Sequence, residues 1–294
     1  MAAPPHRELI DWVAAAIGSP RGISPCGWPQ SPSRVWRVRG GDGALFYLKE
    51  FDEERKREQE LAAYDRWLPA LRDGEVRLPE VVARSDPSLR AIILSEVPGE
   101  IAGGLPLDEE QGIALHRAAG AFLRRLHSLP FDDDDPMPLA EAMPLRLAVW
   151  LERGGDRLSF EEGRLARALV GDGAVFEGDR RVPCHRDYHL RNWLLDRRTL
   201  PPRLGVIDFE HARADHPLID WTRVRERALP RYPRWIEAYA EGYGIADDEE
   251  LEPRFHALEA IHAVGSVVWG SEHHDAEFER AGHALLERLR FVVR

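Results

Sequence analysis

The sequence predicts an α+β protein with two unequal lobes. Three observations carry this. Strand-like stretches cluster in the first third; after about residue 108 apolar positions recur at helical spacing; and one pair of strand-like stretches interrupts that helical remainder between residues 182 and 211. At 294 residues the chain is long enough to bury a substantial core.

The elements follow in order. Residues 6–17 predict a short amphipathic helix, after which Gly and Pro interrupt the chain up to Gln30. VWRVR and ALFYLKEF flank GGDG, a hairpin signal, because Gly and Asp tolerate the positive φ of tight turns. From Asp52 to Leu68 the pattern is helical, with Leu61, Tyr64, Trp67 and Leu68 on one face. Glu60 lies within about 50° of that stripe's centre at ~100° per residue, whereas Glu58 points away, so Glu60 is the acid expected to face inward. Two further strands, PEVVAR and AIILSEV, are separated by the turn SDPS. The chain breaks at VPGE and GGLP before the helical QGIALHRAAGAFLRRLHSL, and FDDDDPMP reads as a solvated connection. VPCHRDYHLRNWLLD and PRLGVIDFEH, joined by the turn LDRRTLPP, form a small hairpin expected to bring Asp187, Asn192 and Asp208 to one rim.

Composition narrows the class of partner. A net charge of −11 argues against nucleic acid, which needs a basic face. No apolar run approaches the ~18 residues of a membrane span. MAAPPHRELIDW lacks a basic region followed by an apolar stretch, so a cytoplasmic location is expected. Cys26 and Cys184 read as ordinary buried or half-buried thiols, their context fitting neither a metal cluster nor a disulfide framework. Of forty basic residues, thirty-eight are Arg. The two lysines are therefore informative. Lys56, in DEERKREQE, fits a solvated helix face; Lys49 ends the strand-like ALFYLK, where a compact ammonium is expected instead of a broad guanidinium fork.

Phosphoryl transfer needs positioned charge. It takes a carboxylate near the attacking hydroxyl, oxygen ligands for Mg²⁺ and a cation on the nucleotide phosphates. Asp187, Asn192, Asp208 and Lys49 supply those parts, and an amide oxygen beside a carboxylate suits Mg²⁺ better than zinc.

In these motifs the chain resembles the aminoglycoside phosphotransferase family, a branch of the protein-kinase-like fold, along most of its length. HRDYHLRN is similar to the family's catalytic loop (His-Gly-Asp, four residues, Asn), and IDFE stands where kinases place their metal-binding Asp. LSEVPG resembles the interlobe hinge, and AAGAFLRRLHSLP the first helix of the large lobe. The resemblance implies a bilobal kinase-like fold: a small antiparallel-sheet nucleotide-binding lobe over 1–94, a hinge at 95–99, and a larger, mainly helical lobe over 100–294. It implies that Asp187 is the catalytic base, that Asn192 and Asp208 hold Mg²⁺, and that Lys49 contacts the phosphates of ATP or GTP while pairing with Glu60. The backbone of Glu96 and Val97 would bind the purine, and the loop with Ser31 and Ser33 would cover the phosphates, although a Gly-rich signature is missing there. Asp220, in DHPLIDW, would brace the catalytic loop.

Two departures stand out. Arg186 replaces the family's usual Gly, and Arg191 replaces the Gly that often precedes the Asn. Only eleven residues separate Asp208 from Asp220, too few for a long activation segment, so a small-molecule acceptor is favoured over a protein. Near the C-terminus Trp269, Glu272 and Asp275 pair an aromatic with acids, which favours a cationic or polyol acceptor through cation–π contact and ion pairing. His273 and His274 point in different directions on a helix and read as hydrated or capping residues. The expected activity is O-phosphorylation of an aminoglycoside-like antibiotic, by a monomer or homodimer. The alternatives are a metabolic kinase for choline, homoserine or a sugar, and a nucleotide-binding pseudokinase, against which the complete catalytic set argues.

Overall fold

The GGDG signal is the turn of a real hairpin. Strand β2 (Arg34–Arg39) pairs antiparallel with β3 (Leu45–Glu50), so that Val35 faces Lys49 and Arg37 faces Tyr47. Asp42 accepts a hydrogen bond from the Ala44 amide at 2.9 Å, and Gly43 takes the positive φ of 93° that the turn requires. The computed structural model describes residues 4–28, 30–72, 74–228, 231–245 and 249–292. These form two compact units, Met1–Leu107 with His189–Arg213, and Asp108–Tyr188 with Ala214–Arg294.

The first unit is built on a five-stranded sheet in the order β1-β2-β3-β5-β4, completed by β1 (Gly22–Pro25), β4 (Val81–Arg84) and β5 (Ala91–Ser95). Alternation decides its faces. Trp36, Val38, Leu48, Ala91 and Ile93 are buried in a cluster with Leu9 and Val13 of helix α1 (Arg7–Ile17), which leaves Lys49 on the opposite face. Helix α2 (Glu54–Arg66) follows β3 and buries Glu60, Leu61, Ala63 and Tyr64.

The hairpin of β8 (Trp193–Asp196) and β9 (Arg203–Val206) belongs to this unit, although the sequence alone would keep it with the helical remainder. The reason is main-chain pairing. The two-residue β6 (Glu100–Ile101) adds to β8, and Arg77 bonds to Leu204 and Val206 of β9 at 2.9 Å each. Gly99 makes that approach possible: it has φ 130°, and a Cβ there would lie 2.9 Å from the Leu195 carbonyl carbon.

The second unit is mainly helical. Helix α3 (Glu109–His127) opens with a capping box in which Asp108 accepts from the Gln111 amide at 2.8 Å. It packs on α7 (Pro233–Tyr243) through glycines: a Cβ on Gly120 would lie 2.1 Å from the Tyr239 carbonyl, and one on Gly242 would lie 2.0 Å from that of Arg117. Helices α4 (Leu139–Gly154), α5 (Phe160–Val170) and α9 (Ala276–Leu289) surround α8 (Glu252–Glu272), whose Ala257, Leu258, Ala260, Val264, Val267 and Val268 are fully buried. The short α6 (Thr222–Ala228) follows a 3₁₀ turn over Pro217–Trp221. Strand β7 (Val182–Cys184) pairs with β10 (Arg213–Asp215), whose Ala214 and Asp215 lie in this unit.

Candidate active site

Lys49 occupies the centre of the first unit's polar site. Its side chain is 6% exposed, and its Nζ stands 2.6 Å from Asp208 Oδ1, 2.8 Å from Glu60 Oε2 and 3.0 Å from Glu210 Oε2. Burial alone would lower the ammonium's pKa, but the three carboxylates hold it well above its usual value. The pKa of Glu60, fully buried, is also raised: desolvation lifts it to about 7, with Lys49 opposing the rise and Asp208 and Glu210 adding to it. The two shifts pull against each other across one pair. The physical account is that a single ammonium cannot neutralise three acids, so the deepest acid retains its proton most readily.

Local structure explains the convergence. Lys49 points off the sheet face opposite Leu48, and α2 presents Glu60 inward while Tyr64 donates to its Oε1 at 3.3 Å. Asp208 follows β9 at the left-handed φ of 68°, a conformation Asp tolerates better than most residues. The next side chain, Phe209, is fully buried and meets Tyr64 edge-on at 5.9 Å. Asn192 sits at the matching end of β8, where its carbonyl accepts from the Ile207 amide at 3.0 Å, so Asn192 and Asp208 flank the same end of the hairpin. Asn192 is buried, and the Asp208 side chain is 40% exposed.

The donor set fits a divalent cation. Amide and carboxylate oxygens are the hard ligands Mg²⁺ prefers, and three carboxylates around one ammonium leave negative charge for a cation to offset.

Other expected residues of this unit are placed as follows. Ser33 is buried, with its Oγ 3.4 Å from Asp52, and the Ser31 amide donates to the Trp28 carbonyl at 3.0 Å. Glu96 is exposed and Val97 buried, with Pro98 between Val97 and Gly99. Lys56 is less solvated than its sequence context implies: its side chain is 14% exposed and bonds Asp52 at 2.9 Å. Cys26 is exposed, contrary to the expectation of a buried or half-buried thiol, because it lies where β1 ends and the loop begins.

In the second unit Asp187 lies beside Arg223 of α6, whose guanidinium contacts its Oδ1, and Arg223 rests against the Phe278 ring at 5.0 Å. Asp220, expected to brace the catalytic loop, is fully buried. Its carboxylate accepts from the His185 amide at 2.9 Å, from the Arg186 amide, and from His127 at 3.1 Å. His127, Cys184 and Asp220 hold donor atoms within 4.8 Å of one another, but His127 also meets the Tyr243 hydroxyl at 2.8 Å, so the trio reads as a buried hydrogen-bond knot. Tyr188, next to Asp187, is buried and donates to the Ala119 carbonyl at 2.9 Å. Arg186 has φ 65° and pairs with buried Asp215 at 2.8 Å, a carboxylate that Arg146 also reaches at 3.0 Å.

The C-terminal residues singled out as acceptor contacts are engaged locally. Trp269 stacks on His273 at 4.2 Å, Glu272 pairs with Arg153 at 2.6 Å, and buried Asp275 caps α9 by accepting from the Phe278 amide at 3.0 Å. His273 takes the capping role read from the sequence, its Nδ1 lying 2.9 Å from the Trp269 carbonyl.

Sequence reasoning missed four side chains. Glu210, two residues after Asp208 in IDFE, joins the Lys49 cluster at 3.0 Å, and that spacing is its signal in the sequence. Arg191 stacks on Trp28 at 4.3 Å, and the replacement of Gly hinted at a function. Asp215, as the partner of Arg186, and Arg223 left no trace in spacing.

These features fit a phosphotransferase scaffold. The sequence matches the phosphotransferase enzyme family (APH) over residues 23–255, and the chain belongs to it. It is 28% identical over 205 residues to an N-acetylmuramate/N-acetylglucosamine kinase of Caulobacter vibrioides (strain ATCC 19089 / CIP 103742 / CB 15), covering 64% of this chain and 56% of that protein's length. Among solved structures it is similar to the streptomycin–ATP–APH(2")-IIa ternary complex, at a TM-score of 0.69 and 17% identity over 98% of this chain and 97% of that one. It is also similar to macrolide 2'-phosphotransferase MphH from Brachybacterium faecium, at a TM-score of 0.64 and 17% identity over 95% and 96% of the two chains. The fold is thus the α+β, protein-kinase-like fold of the aminoglycoside phosphotransferases.

Proposed function

We propose that the protein transfers the γ-phosphoryl group of ATP or GTP to a hydroxyl of a small, polyhydroxylated molecule. One observation carries this reading: a strand lysine, an inward helix glutamate and the acid of the Ile-Asp-Phe motif meet within 2.8 Å. Lys49 would hold the nucleotide phosphates, oriented by Glu60 and Glu210. Asn192 and Asp208 would hold Mg²⁺, which when bound neutralises charge on the phosphate oxygens. Asp187 would orient the acceptor hydroxyl and take its proton, its segment fixed by Asp220 through the His185 and Arg186 amides.

For the acceptor, the streptomycin complex supports an aminoglycoside-like antibiotic and hence a resistance enzyme. A sugar-type acceptor is the second reading, favoured by the N-acetylmuramate/N-acetylglucosamine kinase and by the engagement of Glu272 with Arg153 and of Asp275 as a cap. An ADP-release screen across antibiotics, sugars and amino alcohols tests both. Asp187→Asn should lower transfer about 10²- to 10⁴-fold with nucleotide affinity retained. Unchanged turnover in that variant would remove Asp187 from the reaction.

A further inference from the structure

Within the first unit, two side-chain links join the five-stranded sheet to the β8–β9 hairpin. One is the salt bridge from Lys49 of β3 to Asp208, just after β9, at 2.6 Å. The other is the stack of the Arg191 guanidinium on the Trp28 ring at 4.3 Å. Trp28 lies in the loop between β1 and β2, and Arg191 directly precedes Asn192 at the start of β8. That loop is anchored beside Lys49: the Cys26 and Gly27 amides both donate to the Val35 carbonyl, at 3.0 and 3.2 Å, and Val35 faces Lys49 across β2 and β3. The main chain of Arg191 is fixed as well, its amide donating to His189 Nδ1 at 3.3 Å. A ligand held by Lys49 and Asp208 therefore lies next to the loop that Trp28 ties down.

Main-chain amides alone would hold such a ligand poorly. From Cys26 to Ser33 the loop reads CGWPQSPS, and Pro29 and Pro32 lack an N–H, so an unbroken run of amides cannot face phosphate oxygens. A side-chain contact can fix the loop instead. Stacking needs no unpaired charge, because the guanidinium plane meets the ring while the N–H groups at its edge serve other partners. Glycine, the residue that Arg191 replaces, could make no such contact.

We propose that Trp28 and Arg191 form a strap that holds the β1–β2 loop against the phosphate chain of a bound nucleoside triphosphate. The proposal rests on the phosphotransferase reading above and adds two positioning residues to its nucleotide site. Neither side chain takes part in the bond changes; the strap acts through the loop, by keeping it where the phosphates bind.

A double-mutant cycle tests this, read as the Kd for ATP or GTP with Mg²⁺, whichever the wild type binds more tightly. Trp28→Ala and Arg191→Gln should each weaken binding by about 2- to 5-fold, the effect of one exposed cation–π contact. The double variant should be no weaker than either single one, because both remove the same contact. Trp28→Phe and Arg191→Lys, which keep a ring and a cation, should each recover part of the loss. Losses that multiply in the double variant would overturn the proposal, as would a loss in Trp28→Phe equal to that in Trp28→Ala. A merely structural role would lower the nucleotide-free melting temperature and leave Kd unchanged, and that result would overturn it too. Trp28 is 46% exposed, so its replacement leaves the buried core intact. A measurement on the wild type needs no variant to fold: bound nucleotide should slow amide hydrogen exchange over residues 26–34, and unchanged exchange there would sink the strap. A wild type that binds neither nucleotide would instead strike down the phosphotransferase reading, and this proposal with it.

Discussion

At the scale of single residues, burial decides which titrations matter. His116 of α3 is almost fully buried against Trp235, at a ring separation of 4.9 Å, and desolvation pushes its pKa down to about 4 although its Nδ1 meets the Gly112 carbonyl at 2.8 Å. The unfolded chain, with an ordinary value near 6.5, binds this proton first. Stability is therefore fully present above about pH 6.5 and is lost as pH falls towards 4. The loss from this group should reach about 2 kcal/mol by pH 5. Urea midpoints at pH 5 and 7.5 should lie closer together in His116→Leu than in wild type; an unchanged gap would mean that His116 is not the acid-sensitive group. Lys49 and Glu60 were legible in the sequence because each sits in a regular element whose period fixes its face. Arg223 was not, since its contacts with Asp187 and Phe278 join positions far apart in the chain.

At the scale of elements, the long periodic segments were read correctly. Helices α1, α2 and α3 and the β2–β3 hairpin fall where apolar spacing and turn residues place them. The short strands β1, β6 and β10, of 4, 2 and 3 residues, have no signature in the sequence, because GISP, EI and RAD have no pattern of their own and are strands only through a partner. Helix packing was equally invisible. The contact of α3 with α7 depends on Gly120 and Gly242, where each missing Cβ admits the other helix's carbonyl to about 2 Å of the place it would fill. Gly120→Ala should destabilise the protein by about 1–3 kcal/mol, as overpacking does. It should lower the melting temperature by about 5 °C, and a shift below about 1 °C would mean that the helices separate at little cost. Because Ala119 adjoins Gly120 and accepts from Tyr188, some of that displacement should reach the residue next to Asp187.

At the scale of the whole molecule, the family and fold were legible from ordered motifs: a strand lysine, an inward glutamate, His-x-Asp with Asn five residues after the Asp, then Ile-Asp-Phe. Which segments cluster together was not, because main-chain pairing of β8 and β9 with β6 and Arg77 has no signature in hydrophobic pattern. Mg²⁺ with nucleotide at about 100 times Kd should stabilise the protein by about 2.7 kcal/mol. This should appear as a melting shift of about 5 °C, and no shift with either ATP or GTP would count against the nucleotide site. The interleaved chain also bears on biosynthesis. The first unit is begun by residue 107 but needs residues 189–213, so all of 108–188 must be translated before β6 and Arg77 find their partners. At ~5–20 residues per second, the nascent N-terminal segment waits roughly 5 to 20 s at the ribosome before β6 and Arg77 can pair.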